Sequence, residues 1–500
     1  MNDKEKWIWS RRAVVAGIGL ASIPVAARGQ AACGGPAPVR ASEFPDLSAA
    51  VARWEVAGGT LLLDRDFDIS SPITIIARRG LRYHLITDGP RLLRYVGPRH
   101  HWALCIYSEG ETPFRIEGNL TIDGTNRVAM PFFARFENVS GELRRDFLVR
   151  GLACRNAKIV NGTSGVDGTP ANSYGASGML FSGGFDRLSL SNVSVKDVTR
   201  AAGSGISGSK GSLGIGVTGN LQSTSSARHV TIEDFEVCRI DSEDSPLSPE
   251  RVDMDGVLVF QTAEEGGTRP IIQRGTIREA AGRSVKVFAP GGGGVTRELK
   301  IFRSVSSRYY GSVDINHQHG DGLITDIEIS YAGRAHDLPT TSISMSSGTG
   351  RAKGFPFGVG EVRNIRIHDS TGHPKGALVG LQYNVVGDTS PRRYLFSHIV
   401  DDGVSRSFFL PGALGTHGPA TIIIEDVDVG LSESLFASED PTQFLRIQAR
   451  RSHLSRGREL PVKVSYSGGP VPRNLDVRVD ADASVSGLMT GPHRVVRGDC

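Results

Sequence analysis

Short runs of alternating apolar and polar residues recur along most of the chain, and one helical stretch precedes them. Leu47, Ala50, Val51 and Trp54 fall at i, i+3, i+4 and i+7, the spacing of one helical face. A glycine pair follows, which is typical of a helix C-terminus. The pattern therefore predicts a short helix at about 46–57, with strands following it from the run TLLL onward.

Two kinds of strand-like run then alternate, joined by short polar or glycine-rich links. The longer kind includes LSLSNVSV, VTIEDFEV, IIQRGTI, LKIFRSV, ITDIEIS, VRNIRIH, YLFSHIV and TIIIEDVDV, and the shorter kind includes GVLVF, SVKVF, SVDIN and ALVGL. Val257, Val285 and Val313 are separated by two equal steps of 28 residues, a period typical of solenoids. Long helical repeats and the tryptophan signatures of propeller blades are absent from the sequence. Stacked coils of short parallel strands are the architecture that fits.

Composition and charge agree with a solenoid. The chain has 500 residues, 62 of them glycine, and its aromatic content is 7%. This length would suggest two or three globular domains, but a solenoid grows by stacking repeats and needs no second domain. The net charge of +4 is small and indicates neither nucleic acid nor a membrane surface as partner. We expect a monomer without a membrane span.

The N-terminus has the pattern of an export signal. Arg11 and Arg12 precede a short apolar run with small residues near its end, as in a twin-arginine signal peptide. The run is too short to cross a bilayer. The sequence therefore predicts a signal over 1–31 and a periplasmic or secreted protein. Lipid attachment at Cys33 is an alternative, which Gln30 disfavours because a lipobox prefers leucine there.

The five cysteines fit no metal motif, and their number is odd. Cys105 and Cys238 lie inside strand-like runs, so we expect buried free thiols. No disulfide pairing can be assigned from the sequence.

The capping helix followed by GGTLLL and PITI, together with the coil rhythm, resembles the pectate-lyase-like superfamily. The resemblance covers most of 41–500. It implies an all-β fold, a right-handed parallel β-helix with a short N-terminal capping helix, as a single domain over 41–500. It also implies a surface groove that acts on an acidic polysaccharide, by hydrolysis or by β-elimination.

Aligning the coils on the three equally spaced valines brings polar residues of successive strands together. Because side chains alternate along a strand and stacked strands lie about 4.8 Å apart, outward columns form across the coils. One exposed patch is predicted to hold Asp253, Asp255, Arg283, Lys286, Asp314, Asn316, His317 and His319, beside a platform of Phe260 and Phe288 for a sugar ring. A solvated ladder of charges is the alternative explanation.

Two chemistries are open to such a patch. DMDGVLV resembles the first motif of polygalacturonase-type hydrolases, but Arg283 and Ser284 stand where the next coil should supply aspartates. A guanidinium cannot activate water as a carboxylate does, whereas it can clamp a uronate carboxylate. In an elimination the base would be Lys286, or else His317 or His319, and the acid would be Tyr309 or Tyr310.

The leading prediction is therefore an exported polysaccharide lyase. Its catalytic candidates are Arg283, Lys286, His317, Asp314 and Tyr310, and its substrate-binding candidates are Asp255, Phe260, Phe288, Asn316 and His319. The resemblance also suggests Ca²⁺ as charge neutraliser, with Asp253 and Asp255 as candidate ligands, although a plain polar loop is the favoured explanation of that acidic stretch. The alternatives are a glycoside hydrolase that pairs Asp253 with Asp314, a uronate C5-epimerase, and a non-catalytic carbohydrate-binding β-helix.

Overall fold

The computed structural model describes 21 segments of the chain. They are 37–108, 112–136, 146–159, 175–201, 212–218, 228–243, 254–260, 269–289, 293–304, 311–316, 320–331, 341–347, 358–369, 375–383, 392–402, 405–412, 420–429, 434–436, 445–454, 475–479 and 494–497. The predicted signal at 1–31 lies outside these residues. The coils belong to one compact unit, Pro38–Cys500.

The helix α1 (Leu47–Ala57) covers the N-terminal end of the coils, as the sequence predicts. Asp46 caps it by accepting the backbone N–H of Ala49 at 2.8 Å. Its apolar face is buried, and Trp54, 0% exposed, also donates its indole N–H to the carbonyl of Gly59 at 2.9 Å. Glu55 accepts the backbone N–H of Ile76 at 2.6 Å, on the first strand of the second sheet described below. The helix therefore blocks a sheet edge that would otherwise be open to pairing with another chain.

All described strands belong to two sheets with parallel pairing throughout. A 3-10 turn at Ala41–Glu43 follows the first strand of sheet A. Sheet A contains β1 (Val39–Arg40), β2 (Gly59–Leu63), β3 (Phe67–Ile69), β5 (Tyr83–Tyr95), β7 (Phe114–Asp123), β9 (Asp146–Ile159), β11 (Arg187–Arg200), β13 (His229–Ser242), β15 (Ile271–Ala280), β17 (Gly294–Ser304), β19 (Gly322–Tyr331), β21 (Val359–Asp369), β23 (Arg392–Asp401), β25 (Ala420–Glu425), β26 (Asp428–Val429), β28 (Leu445–Arg450), β29 (Leu475–Val479) and β30 (Arg494–Arg497). Sheet B contains β4 (Ile73–Ala77), β6 (His100–Ser108), β8 (Val128–Phe136), β10 (Ser177–Gly183), β12 (Leu213–Thr218), β14 (Asp255–Phe260), β16 (Val285–Phe288), β18 (Gly311–Asn316), β20 (Thr341–Ser347), β22 (Lys375–Tyr383), β24 (Ser405–Gly412) and β27 (Ser434–Phe436).

This arrangement is a parallel β-helix, and the predicted fold class is confirmed. The longer runs of the sequence form sheet A and the shorter runs form sheet B. Each strand pairs with its counterpart one coil later, so that inward Val, Ile, Leu and Phe side chains of both sheets stack into one continuous core. Burial of each such side chain contributes about 1.5–3 kcal/mol, so the core columns are the main source of stability.

The sheet A strands bend at single residues with left-handed backbone, which the straight runs of the sequence do not reveal. Asn192, Asp234 and Arg274 have φ of 51°, 52° and 52° and occupy equivalent places in successive coils. Asn and Asp tolerate this conformation better than most residues, because their short polar side chains bond locally. Arg274 is less suited to it, and two hydrogen bonds of 2.8 and 3.1 Å to Asp234 of the preceding coil hold it there.

The cysteines of the described segments are free, as expected from the sequence. Cys105 and Cys154 are buried and Cys238 is half-buried. Burial raises the pKa of the Cys105 thiol to about 12, so this thiol stays protonated and inert at neutral pH. In the part of the chain that the structure describes, no helix is both long and apolar enough to cross a bilayer.

Candidate functional site

The outer face of sheet B carries a compact group of charged side chains at the place where the valine spacing predicts one. Val257 pairs with Val285 and Val285 with Val313, which confirms the predicted register. Consequently Lys286 lies beside Asp314, and Ser344 follows Asp314 on the next strand. We call Asp255, Arg283, Lys286 and Asp314 the charge cluster.

Arg283 lies at the centre of the charge cluster. Its Nε donates to Asp255 Oδ1 at 2.9 Å, and one terminal nitrogen donates to Asp255 Oδ2 at 3.3 Å. The other terminal nitrogen donates to Asp314 Oδ2 at 3.5 Å. One guanidinium thus joins two carboxylates that belong to different coils.

The direction of Arg283 follows from an irregularity at the start of the sheet B strands. Ser284 and Val285 are both 0% exposed, and the hydroxyl of Ser284 lies 3.0 Å from that of Ser312. Gly256, the equivalent of Ser284 one coil earlier, could not carry a Cβ, because it would approach the Ser284 carbonyl oxygen to 2.6 Å. The same Cβ would lie 3.0 Å from Ile277 of the core, so this position faces the interior, as the adjacent Val257 does. With two consecutive inward positions, the residue before them, which is Arg283 in the next coil, is directed outward with Lys286.

Burial of the charge cluster differs from the prediction of an open patch. Arg283 and Asp255 are each 1% exposed and Asp314 is 4% exposed, whereas Lys286 is half-buried. The prediction that the Arg283 side chain is exposed and available to a substrate carboxylate is therefore wrong. Its guanidinium is hydrogen-bonded to Asp255 and Asp314, and its side chain is shielded from solvent.

The two carboxylates have different surroundings. Burial raises the pKa of Asp314 above its ordinary value, and the nearby Asp255 carboxylate adds to this, while Arg283 and Lys286 oppose it without cancelling it. Asp255 accepts two hydrogen bonds from a guanidinium, an arrangement that favours the ionised carboxylate.

A stacked aromatic pair lies two residues beyond the charged columns. The rings of Phe260 and Phe288 are 4.5 Å apart between centroids and inclined by 10°. Both rings are half-buried, so part of each remains open to solvent. The register that pairs these two residues is the predicted one, and it also places the backbone of Asn316 next to Phe288. The pair can therefore offer one flat apolar surface next to the charge cluster.

Several predicted site residues lie outside the described residues. They are Asp253, Tyr309, Tyr310, His317 and His319, and the side chain of Asn316 belongs with them. A calcium site at Asp253 and Asp255 is not favoured, since the oxygens of Asp255 are taken by Arg283. Within the described ranges, no group of three or more metal-binding side chains comes together.

Comparisons with known proteins give only distant similarities. No family model and no curated protein sequence matches the chain. Among solved structures, the catalytic domain of a GH87 alpha-1,3-glucanase in complex with nigerose is 9% identical, with a TM-score of 0.40 over 94% of this chain and 70% of that one. The Agl-KA catalytic domain is 12% identical, with a TM-score of 0.29 over 91% of this chain and 70% of that one. Geobacillus virus E2 ORF18 is 10% identical, with a TM-score of 0.30 over 82% and 61%. Similarity this distant does not bear on activity, so the inferences below rest on this chain's own residues.

Proposed function

We propose that the protein is a glycan-cleaving enzyme that acts by hydrolysis at the charge cluster, with Asp314 as the proton donor. The observation that carries the proposal is a buried carboxyl group with a raised pKa on the outer face of sheet B, beside a flat aromatic surface. Glycosidases use a carboxylic acid of this kind to protonate the departing sugar oxygen.

A second carboxylate is required, and Asp255 is the described residue that fits. Arg283 favours its ionised form through two hydrogen bonds. A fixed negative charge next to the reacting sugar stabilises the positively charged, oxocarbenium-like transition state. Arg283 acts here as a positioning residue, because its guanidinium is hydrogen-bonded to both carboxylates.

The substrate class follows from the hydrogen bonds of Arg283. A guanidinium is the group best suited to bind a uronate carboxylate, but that of Arg283 is already engaged by Asp255 and Asp314. We therefore propose a neutral rather than an acidic glycan, in place of the acidic substrate expected from the sequence.

β-Elimination is the second candidate, and one observation favours it. Lys286 is the least covered member of the charge cluster and is the direct neighbour of Asp314. If a uronate entered next to it, Lys286 could accept the proton of C5. The epimerase alternative begins with the same step.

The test is a panel of neutral and acidic polysaccharides, with reducing ends and near-ultraviolet absorbance measured together. Hydrolysis predicts new reducing ends without absorbance, from a neutral polymer, and their loss in Asp314→Asn. Absorbance that rises with the reducing ends would replace hydrolysis by elimination. No new ends and no change in sugar composition on any polymer would refute catalysis and favour a binding protein.

Export is proposed as well, on the strength of Arg11 and Arg12 before the apolar run. A fusion of residues 1–40 to a reporter that is active only after export should give signal. Replacement of both arginines by lysine should abolish that signal, and unchanged export of the lysine variant would contradict the assignment.

A further inference from the structure

A groove of about 670 Å³ lies on sheet A, along the bend of its strands. It crosses five successive coils, from β7 to β15, which at about 4.8 Å per strand is a length of about 19 Å. Its lining residues that matter here are Asn119, Gly151, Asn192, Ser194, Glu236 and Arg274. The charge cluster lies on sheet B, so the two sites occupy different faces of the solenoid.

Small residues keep the groove open at its N-terminal end. Gly151, with φ of 78°, approaches the preceding coil so closely that an added Cβ would lie 1.7 Å from the Gly118 carbonyl oxygen. Ala153 and Ser194 follow as neighbours on the next column. At the other end Arg274 lies across the bend, held by Asp234. The groove is thus open over the first coils and closed by an ion pair.

Polar groups within the open part have no protein partner. The side chains of Asn119, Asn192, Ser194 and Glu236 make no hydrogen bond or ion pair in the described part of the chain, and all but the half-buried Ser194 are exposed.

In a neighbouring column of the same bend, polar side chains are hydrogen-bonded to one another. Gln273 donates to Glu233 at 2.8 Å, and Arg297 donates to Gln273 at 2.8 and 2.6 Å. The contrast marks the open segment as the part of the bend that is able to receive hydrogen bonds from a ligand.

The chemistry of these free groups indicates what they would bind. Carboxamides and hydroxyls both donate and accept, and a carboxylate only accepts. Sugar hydroxyls also do both, and successive coils present such groups at a regular spacing along the bend. Glu236, whose carboxylate has no partner among the described residues, disfavours an anionic ligand. We infer that this groove binds a linear, neutral oligosaccharide in extended form, with its chain parallel to the solenoid axis.

This inference is independent of the proposed hydrolysis, because it rests on the groups of the groove alone. If both are correct, the groove would hold a polymer on one face while the charge cluster acts on another. Binding alone does not require any cleavage.

The test uses the full chain with Asp314→Asn, so that the sugar is not cleaved during the titration if the parent protein is a hydrolase. Maltohexaose, cellohexaose and laminarihexaose are titrated by calorimetry, with hexagalacturonate as the acidic control. Amide hydrogen exchange then locates the bound ligand. Ser194→Trp fills the groove, and Ser189→Trp is the matched control, since both serines are half-buried and outward on β11.

At least one neutral hexasaccharide should bind and slow exchange around 118–123, 151–155 and 192–196. Ser194→Trp should weaken this binding at least tenfold, and Ser189→Trp should leave it unchanged. The inference is overturned if none of the three neutral sugars binds, or if hexagalacturonate binds more tightly than they do. It is also overturned if amide exchange slows elsewhere in the chain, or if the two tryptophan variants bind with equal affinity. A lack of hydrolysis by the parent protein would refute the proposed function and leave these outcomes unaffected.

Discussion

Removal of the Arg283 guanidinium should destabilise the protein strongly, because it would leave two carboxylates buried without their shared cation. Arg283 and Asp255 are each 1% exposed, and their contacts of 2.9 and 3.3 Å form a bidentate pair. Breaking one side of a buried ion pair costs about 3–5 kcal/mol. That is a large share of the roughly 5–15 kcal/mol by which folded proteins are stable. We therefore expect Arg283→Ala to lower the free energy of unfolding by that amount and to shift the urea midpoint downward.

The assay is urea unfolding followed by far-ultraviolet circular dichroism, with Arg91→Ala as control. Arg91 also pairs with an aspartate, Asp88, at 2.6 Å, but that pair lies on the surface and its loss should cost at most about 1 kcal/mol. The double variant Arg283→Ala with Asp255→Ala should cost less than the two single variants added together, since the partners act as a unit. Equal midpoints for Arg283→Ala and Arg91→Ala, or strictly additive costs in the double variant, would show that the buried pair is not formed.

Three further expectations concern other parts of the chain. Burial raises the folded-state pKa of Asp314, so its protonated form favours folding below the ordinary pKa of 3.8, and this contribution is lost as pH rises through the raised value. The free energy of unfolding of Asp314→Asn, measured in urea relative to that of the parent, should therefore increase from pH 4 to pH 7. A difference between the two proteins that does not change with pH would contradict this. At the left-handed position Asn192, replacement by valine should cost about 1–2 kcal/mol and replacement by glycine much less, and equal melting temperatures of the two variants would contradict the assigned backbone. Glu55→Ala should lower the free energy of unfolding by about 1 kcal/mol, because the N–H of Ile76 loses its acceptor, and Glu55→Gln should retain most of that stability. Equal melting temperatures of Glu55→Ala and Glu55→Gln would refute the capping role.

The sequence was sufficient to predict the stacking of the coils because its periods are regular where the strands are short. The equal steps between Val257, Val285 and Val313 set the register of three strands, and the contact between Phe260 and Phe288 follows from that register. Alternation of apolar residues decides which side chains face the core, and it does so locally, without knowledge of the rest of the chain.

Burial of the charge cluster could not be predicted in the same way. The strict alternation fails at Ser284 and Val285, which both face inward, so the direction of Arg283 depends on a local irregularity of the backbone. Its burial depends on long-range packing, which strand periodicity does not encode. The bends of sheet A were missed because Arg274 and Glu298 occupy left-handed positions that are recognisable in sequence only when they hold Asn, Asp or Gly.

The most direct test of the account is the initial rate of reducing-end release from a neutral polysaccharide by the parent protein and by Asp314→Asn. Loss of a general acid lowers the rate by about 10²–10⁴-fold, and the isosteric amide should preserve the fold. The account predicts release without ultraviolet absorbance by the parent and a loss of that size in the variant. Equal rates in the two proteins would contradict the assignment of Asp314 as the proton donor.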